Sequence, residues 1–268
     1  MTRFVIAKHD EILRQLRLTS LEQIKNFQGE LVKDHRGRRD ILRIKVSALN
    51  SQPLVFFLKR NWRPYRKDGL KSLLRHGRVW SSARQEWENS KALEEAGLRA
   101  ARLVAFGEDC GLLWEQFSFL ITEAAEGGQT IEQFSATCRD REPRRQVIDG
   151  LAREIRHLHD AGLAAPDLFT RHIFVDTAGA APKFCFIDMA RLDRVKKLSH
   201  RRRARDLAAL NITAALRWVS AKERLYFLKK YAGQIDRQFL KLIRRRFDRL
   251  ARRRKFQDFF KNSEPKVK

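Results

Sequence analysis

The apolar residues of this 268-residue chain change their period near residues 124–130, and that change limits what the chain can build. Before it the pattern is that of strands. Residues 26–60 run through NFQGELV, a polar turn HRGRR, DILRIKV, a second turn LNSQP and LVFFLKR, three strand-like runs separated by turn residues. Such an antiparallel meander needs cover for its apolar face. The helical pattern from Ser81 through Glu95 can supply it, with Ser81 or Ser82 as N-cap and Gly97 as the stop. LRAARLVAFGE and GLLWEQFSFLITEAAE, parted by the turn GEDCG, read as two further strands. Beyond the boundary, residues 143–160 place Val147, Leu151, Ile155 and Leu158 on one buried helical stripe. Two short strand-like runs follow, HIFVD and KFCFID, joined by TAGAAP, and from about Ser199 the chain is helical and basic. Residues 1–25 read as an irregular lead-in with an amphipathic segment around Ile12, Leu13 and Leu16, and residues 62–78 as a loop or partly helical insertion. The expected class is α+β, with a strand-rich part over residues 1–126 and a helix-rich part over residues 127–268.

A chain this long can bury a sizeable core without staples. Cys110, Cys138 and Cys185 are far apart and form no CxxC pair, so neither a disulfide framework nor a thiolate metal site is expected, and a reducing cytoplasm is the simpler setting. The start, MTRFVIAKHDEI, is too short and polar for a secretory signal, and no later run approaches the length of a membrane span. Membrane association, if any, is expected to be peripheral. Lys and Arg number 57 against 32 Asp and Glu, a net charge of +25. That field attracts nucleic acid, anionic lipid or phosphorylated glycan alike, and says more about partners than about fold.

The chemistry is concentrated in HLHDAGLAAPDLFTRHIFVD and the KFCFIDMAR that follows. Asp167 lies in a non-periodic segment after Pro166, His172 stands at the entrance to the first short strand, and Asp188 comes directly after the second. If the two strands form a hairpin, His172 and Asp188 meet at one end and Asp167 can face both. Phosphoryl transfer needs such a set: one carboxylate to orient an acceptor hydroxyl and take its proton, and a metal to neutralise phosphate oxygens. Asp167 is expected as that base, Asp188 as the main Mg2+ ligand, and His172 as a second metal contact or a hydrogen bond to phosphate. Magnesium prefers oxygen, which makes direct coordination by His172 the weakest of the three assignments. The structural alternatives are plain: aspartates also cap turns and end strands.

Lys59 ends LVFFLKR. Alternation puts Val55, Phe57 and Lys59 on one face and Leu54, Phe56 and Leu58 on the other, so the strand is expected to be covered on both, with Lys59 turned to the ATP phosphates. A lysine in that role is held by a carboxylate on a neighbouring helix. Glu86 shares a helical face with Ser90 and Leu93, whereas Glu88 falls about 140° from Leu93, so Glu86 is the expected partner. Gly29 and Gly37 would allow backbone to approach phosphate, but no GxGxxG series accompanies them.

With these residues in place the chain resembles the lipopolysaccharide core heptose kinase and Kdo kinase family, a branch of the protein-kinase-like fold, over roughly residues 25–215. The resemblance is carried by VFFLKR, SARQEWENSKALEEAGL, IRHLHDAGL, DLFTRHIFVD, FIDMARL and RRRARDLAALN. It implies a two-lobed protein-kinase-like fold, with Lys59 on the ATP phosphates, Asp167 as catalytic base, His172 where many protein kinases have asparagine, and Asp188 on the metal. It implies that Asp206 supports the catalytic segment. Ala165, Pro166 and Asp167 stand in place of an HRD triplet, and Asp188, Met189 and Ala190 in place of DFG. Lacking an arginine before Asp167, the chain is not expected to answer to a phosphorylated activation loop. The substrate class implied is a sugar hydroxyl of the lipopolysaccharide inner core, with a protein or small-metabolite kinase as the enzymatic alternative.

The tail KLIRRRFDRLARRRKFQDFFK sets Ile243, Phe247, Leu250 and Phe256 among many arginines. Over residues 241–261 it could lie on an anionic membrane with its aromatics inserted, as suits a glycolipid substrate at the inner membrane, or close over the helical part with its arginines outward. Nucleic-acid binding is the non-enzymatic alternative, and it is disfavoured because neither zinc-finger spacing nor an RNA-binding aromatic motif accompanies the charge.

Overall fold

The computed structural model describes residues 1–46, 53–62, 76–125, 128–234 and 236–253, with 64, 69, 72–74 and 256. Most of the turn expected at LNSQP, about half of the 62–78 insertion and the tail beyond 256 lie outside the described residues. The chain divides into two compact units, one of residues 1–92 and 101–124, the other of residues 93–100 and 125–268.

The first unit is built on a six-stranded sheet in the order β1-β5-β6-β4-β3-β2. Its strands are β1 (Thr2–Ile6), β2 (Glu30–Asp34), β3 (Arg39–Val46), β4 (Leu54–Asn61), β5 (Leu103–Cys110) and β6 (Glu115–Glu123), paired antiparallel throughout. The meander expected over residues 26–60 is β2-β3-β4. β1 is the departure from the irregular lead-in: TRFVI is short and begins at the chain start, and its partner β5 lies about a hundred residues away, beyond any local pattern. The turn expected at GEDCG also moves, because β5 runs on to Cys110 and the reversal falls on residues 111–114.

Pairing sorts the strand residues into two faces. Phe56 and Leu58 of β4, with Phe119 and Ile121 of β6, pack beneath the short helices α1 (Asp10–Gln15) and α2 (Leu21–Asn26) through Leu13, Leu18 and Ile24, all essentially without exposure. On the opposite face one row of partners runs Val5, Phe106, Leu120, Lys59 and Ile41. Phe106 and Leu120 meet Ala83 and Trp87 of helix α3 (Ser82–Glu95) there. Lys59 of β4 thus stands beside an apolar patch covered by α3, in a row that ends on Lys33 of β2, the partner of Ile41.

The second unit contains α4 (Ile131–Thr137) and α5 (Arg141–Asp160), whose stripe of Val147, Leu151, Ile155 and Leu158 is buried. Pro143 sits in the first turn of α5, where a missing N–H costs nothing. β7 (Gln129–Thr130), β9 (Ile173–Asp176) and β10 (Lys183–Phe186) form one small sheet, and β8 (Leu163–Ala164) pairs with β11 (Asp193–Arg194). Helices α6 (His200–Thr213), α7 (Ala221–Ala232) and α8 (Arg237–Ala251) complete it. Arg144 fastens α5 to α7 by Glu223 at 2.6 Å while its other nitrogens reach the carbonyls of Ser135, Cys138 and Trp218. None of the three cysteines is in a disulfide.

The tail folds inward. Ile243 of α8 is buried, and Phe247, Leu250 and Ala251 pack with Phe256 on Ala209, Ile212 and Phe169. Of the two placements expected for the tail, closure over the second unit is the one these described side chains take, because α6 gives their apolar surface a dry partner.

Gly162 ends α5 at φ +77, and a Cβ there would stand 2.0 Å from the carbonyl oxygen of Val195. Gly162→Ala should therefore cost about 2 kcal/mol or more of stability. Urea unfolding checks this, and a wild-type midpoint would contradict the close approach.

Candidate active site

In the first unit Lys59 leaves the middle of the sheet toward α3, and its Nζ lies 2.5 Å from Glu86 Oε1. Both side chains are largely withdrawn from water, at 13% and 7% exposure. Arg39 of β3 approaches the other oxygen of Glu86 at 3.6 Å, so one carboxylate faces two cations. Glu86 is where it is because the start of α3 is held by the sheet. Ser81 Oγ accepts from Arg84 N at 3.0 Å and so caps the helix. The Ser82 amide donates to Glu115 at 2.9 Å, the Ala83 amide to Ser118 Oγ at 3.4 Å and the Ser81 amide to Glu108 at 3.3 Å. Arg84 closes on Glu108 at 3.2 Å. Ser118 donates to Glu115 and accepts from Asn61. Burial pushes the Glu115 carboxyl up from its ordinary value, against the lowering effect of its bonds to Ser118 and Ser82. Two carboxylates at a helix N-terminus meet both the unpaired amides and the positive end of the dipole.

In the second unit, residues 165–172 form a loop and a single 3-10 turn (Thr170–His172) between β8 and β9. The loop is tied down from several sides. The Ala165 amide donates to Asp206 Oδ2 at 2.6 Å, and Asp206 is fully buried in α6. Arg205 reaches Asp206 Oδ1 at 2.8 Å and Asp193 at 3.3 Å. Thr170 donates its amide to Thr213 Oγ1 at 3.0 Å and its hydroxyl to the Thr213 carbonyl at 2.9 Å. His159 completes the base of the site, with Nδ1 at 2.7 Å from the Tyr231 hydroxyl.

The hairpin of β9 and β10 does bring the three expected residues of this unit together. His172 Nδ1 lies 3.0 Å from the Asp167 carbonyl, and its Nε2 lies 3.7 Å from Asp188 Oδ2. Because a carbonyl oxygen only accepts, Nδ1 carries the proton, while Nε2 accepts from Arg171 Nε at 3.2 Å. Burial lowers the pKa of His172, outweighing the pull of Asp188, and keeps the ring neutral. Asp188 takes the left-handed conformation at φ 57, which aspartate tolerates better than most residues. The Asp167 carboxylate, 22% exposed, receives Arg191 Nη1 at 3.1 and 3.2 Å.

Residues 22–250 match the model of the lipopolysaccharide kinase (Kdo/WaaP) family. The chain belongs to that family.

Among this family's curated members it is similar to lipopolysaccharide core heptose(I) kinase WaaP of Pseudomonas aeruginosa, at 28% identity over 228 residues covering 82% of this chain and 83% of that one. It is similar also to the Escherichia coli protein of the same name, 25% identical over 82% and 84% of the two chains. A solved structure described as WaaP in complex with acyl carrier protein matches its fold with a TM-score of 0.65 at 23% identity, covering 98% of this chain and 100% of that one. The architecture is therefore the kinase-like fold expected from the sequence. As a member of a lipopolysaccharide kinase family the chain is a phosphotransferase, and a kinase family implies ATP as donor.

Two neighbours of this kinase's candidate residues were not singled out in the sequence: Arg39, the second cation on Glu86, and Arg191, on Asp167. Arg39 stands two strands' pairing from any helix signal, and Arg191 could have been suspected only from its place three residues after Asp188. The donor set near Asp188 bears on magnesium. Among the described residues no cluster of three or more histidine, cysteine or acidic side chains could hold a metal ion. One carboxylate is nevertheless compatible with magnesium, which keeps waters and takes phosphate oxygens for its remaining positions. The nitrogen of His172 is a poor fit, since magnesium is hard and Nε2 already accepts a hydrogen bond.

Asp206→Asn removes the charge shared by Ala165 N–H, Arg205 and the neighbourhood of His159. It should cost about 3 kcal/mol, read from denaturant unfolding at neutral pH. A change below measurement error would contradict the anchoring role.

Proposed function

We propose that this chain transfers the γ-phosphoryl group of ATP to a sugar hydroxyl of the lipopolysaccharide inner core. The observation that carries the reading is the anchored loop of Asp167, with its carboxylate partly open to solvent and its backbone held by Asp206 and His172. The sugar acceptor is supported by the relatives aligned over most of this chain, which are named as heptose(I) kinases.

In this mechanism Lys59, steadied by Glu86, neutralises phosphate oxygens of the nucleotide. Asp167 accepts a hydrogen bond from the acceptor hydroxyl and takes its proton as the oxygen bonds to the γ-phosphorus and the bond to the ADP oxygen breaks. One Asp167 oxygen must be free for this, so Arg191 shifts to a single oxygen or to the incoming phosphoryl group. That guanidinium is 69% exposed and loses little by moving. Asp188 would hold magnesium, which when bound neutralises charge on the phosphoryl oxygens. His172 is read as the group that positions this loop, through the Asp167 carbonyl, rather than as a second magnesium ligand.

A glycolipid acceptor puts the enzyme at the cytoplasmic face of the inner membrane as a peripheral protein. No helix among the described residues is long and apolar enough to cross a membrane. The basic tail supplies an electrostatic contact in this reading: Lys241, Arg244, Arg245, Arg249, Arg252 and Arg253 are exposed on or just after α8. Protein and small-metabolite kinases would share every catalytic residue, so the acceptor is decided by experiment.

Asp167→Ala should lower phosphate transfer by about 100-fold or more while nucleotide affinity stays near wild type. Undiminished turnover by folded variant would remove Asp167 from the chemistry. In the wild type, labelled phosphate should enter unphosphorylated core glycolipid in preference to free sugars or generic protein under matched conditions. Incorporation into protein alone would reject the acceptor.

A further inference from the structure

We propose that the tip of the β5–β6 hairpin is a peripheral membrane contact, which sets Leu112, Leu113 and Trp114 among the headgroups of an anionic bilayer. This goes beyond the phosphotransfer reading and does not depend on which hydroxyl is phosphorylated.

The tip is three consecutive large apolar residues held in water. Leu112 is 94% exposed, Leu113 54% and Trp114 40%. Scattered apolar side chains on a surface need no explanation, but a run of three at the end of a hairpin does. The sequence could have reversed direction here with polar turn residues, which are cheaper in water. The turn is also well fastened, with the Gly111 amide donating to the Trp114 carbonyl at 3.0 Å, so the leucines are projected by a formed hairpin. Met1, 81% exposed, extends the apolar surface, because its ammonium group binds the Cys110 carbonyl at 2.5 Å.

The surroundings favour an anionic lipid surface as the occupant. The partner row Arg3, Glu108, Ser118, Asn61 and Arg39 crosses the sheet just before its end. Beyond that row lie both the 111–114 tip and the 35–38 turn, where Arg36 and Arg38 are exposed. Basic side chains and a tryptophan beside leucines are the mixture that suits a membrane interface. Two of the three carboxylates nearest the tip are withdrawn from its surface, and Asp109 keeps its charge there. Glu108 and Glu115 are buried against Arg84 and Ser82, and Asp109 takes a hydrogen bond from Thr2. The net charge of +25 draws the whole chain to the same surface. Among the described residues of the tail, Phe247 and Phe256 pack on α6 and Phe169 and are not presented outward.

The test is co-sedimentation of the full chain with vesicles of phosphatidylcholine and phosphatidylglycerol, without nucleotide or glycolipid, so that its outcome is separate from that of the acceptor assay. The double substitution Leu112→Glu with Leu113→Glu should weaken binding by about tenfold or more, with melting temperature and phosphate transfer to a soluble acceptor unchanged. If the double variant is not folded, Leu112→Glu alone carries the test, with a smaller loss in the same direction. Wild-type binding should retain a fraction at salt high enough to screen surface charge. Equal binding by variant and wild type overturns the proposal. So does complete loss of wild-type binding at high salt, which would leave the basic surface as the sole contact. A variant that binds vesicles normally but loses self-association would make the tip an interface between copies of this chain, and would overturn it too.

Discussion

The second unit depends on one buried carboxylate. Asp206 has no exposure, and an unpaired charge in that position would be prohibitively costly, so its partners are fixed with it. They are the Ala165 amide and the guanidinium of Arg205, with His159 Nε2 at 3.4 Å. The first is the consequential one. It fixes the backbone two residues before Asp167, at the point where the chain leaves β8 and has no ladder to follow. From the same helix Thr213 holds Thr170, and Ile212 supports Phe169 together with Phe256 from the tail. α6 is thus the floor of the loop, and the basic tail, whatever its arginines contact, also presses on that floor.

The first unit solves a parallel problem by other means. Lys59 and Glu86 come from a strand and a helix 27 residues apart, and a pair so poorly solvated gives little net stability. What it needs is a helix that cannot rotate. The capping of α3 by Ser81, Glu108, Glu115 and Ser118 supplies this, because each donor at the start of the helix is matched to an acceptor on β5, β6 or the cap itself. Trp87, at 2% exposure, locks the same face by packing on Phe106 at 4.8 Å between ring centroids.

Much of this was legible in the sequence where the signal is local. The β2-β3-β4 meander, α3 and the stripe of α5 follow from period and turn residues, and the choice of Glu86 over its neighbour follows from helical geometry alone. The hairpin that gathers Asp167, His172 and Asp188 was readable from two short apolar runs. What escaped is non-local. β1 looked like a lead-in because its ladder partner lies at the far end of the unit. Glu108 and Glu115 were unremarkable strand acids until folding set them at the N-terminus of α3. The inward course of the tail was one of two placements the sequence left open, because the choice depends on a groove over Ala209 and Ile212 that no helical wheel displays. Family resemblance contributed Asp206, whose importance its own neighbourhood, RRRARDLAALN, does not announce.

The central claim is that a buried carboxylate on α6 pre-organises the loop bearing the candidate catalytic base. Native-state hydrogen exchange at the Ala165 amide measures this directly. The account predicts exchange as slow as that of the buried amides of α6, since the bond to Asp206 opens only when the unit does. Exchange at the rate of an exposed loop amide, in protein that still transfers phosphate, would contradict it.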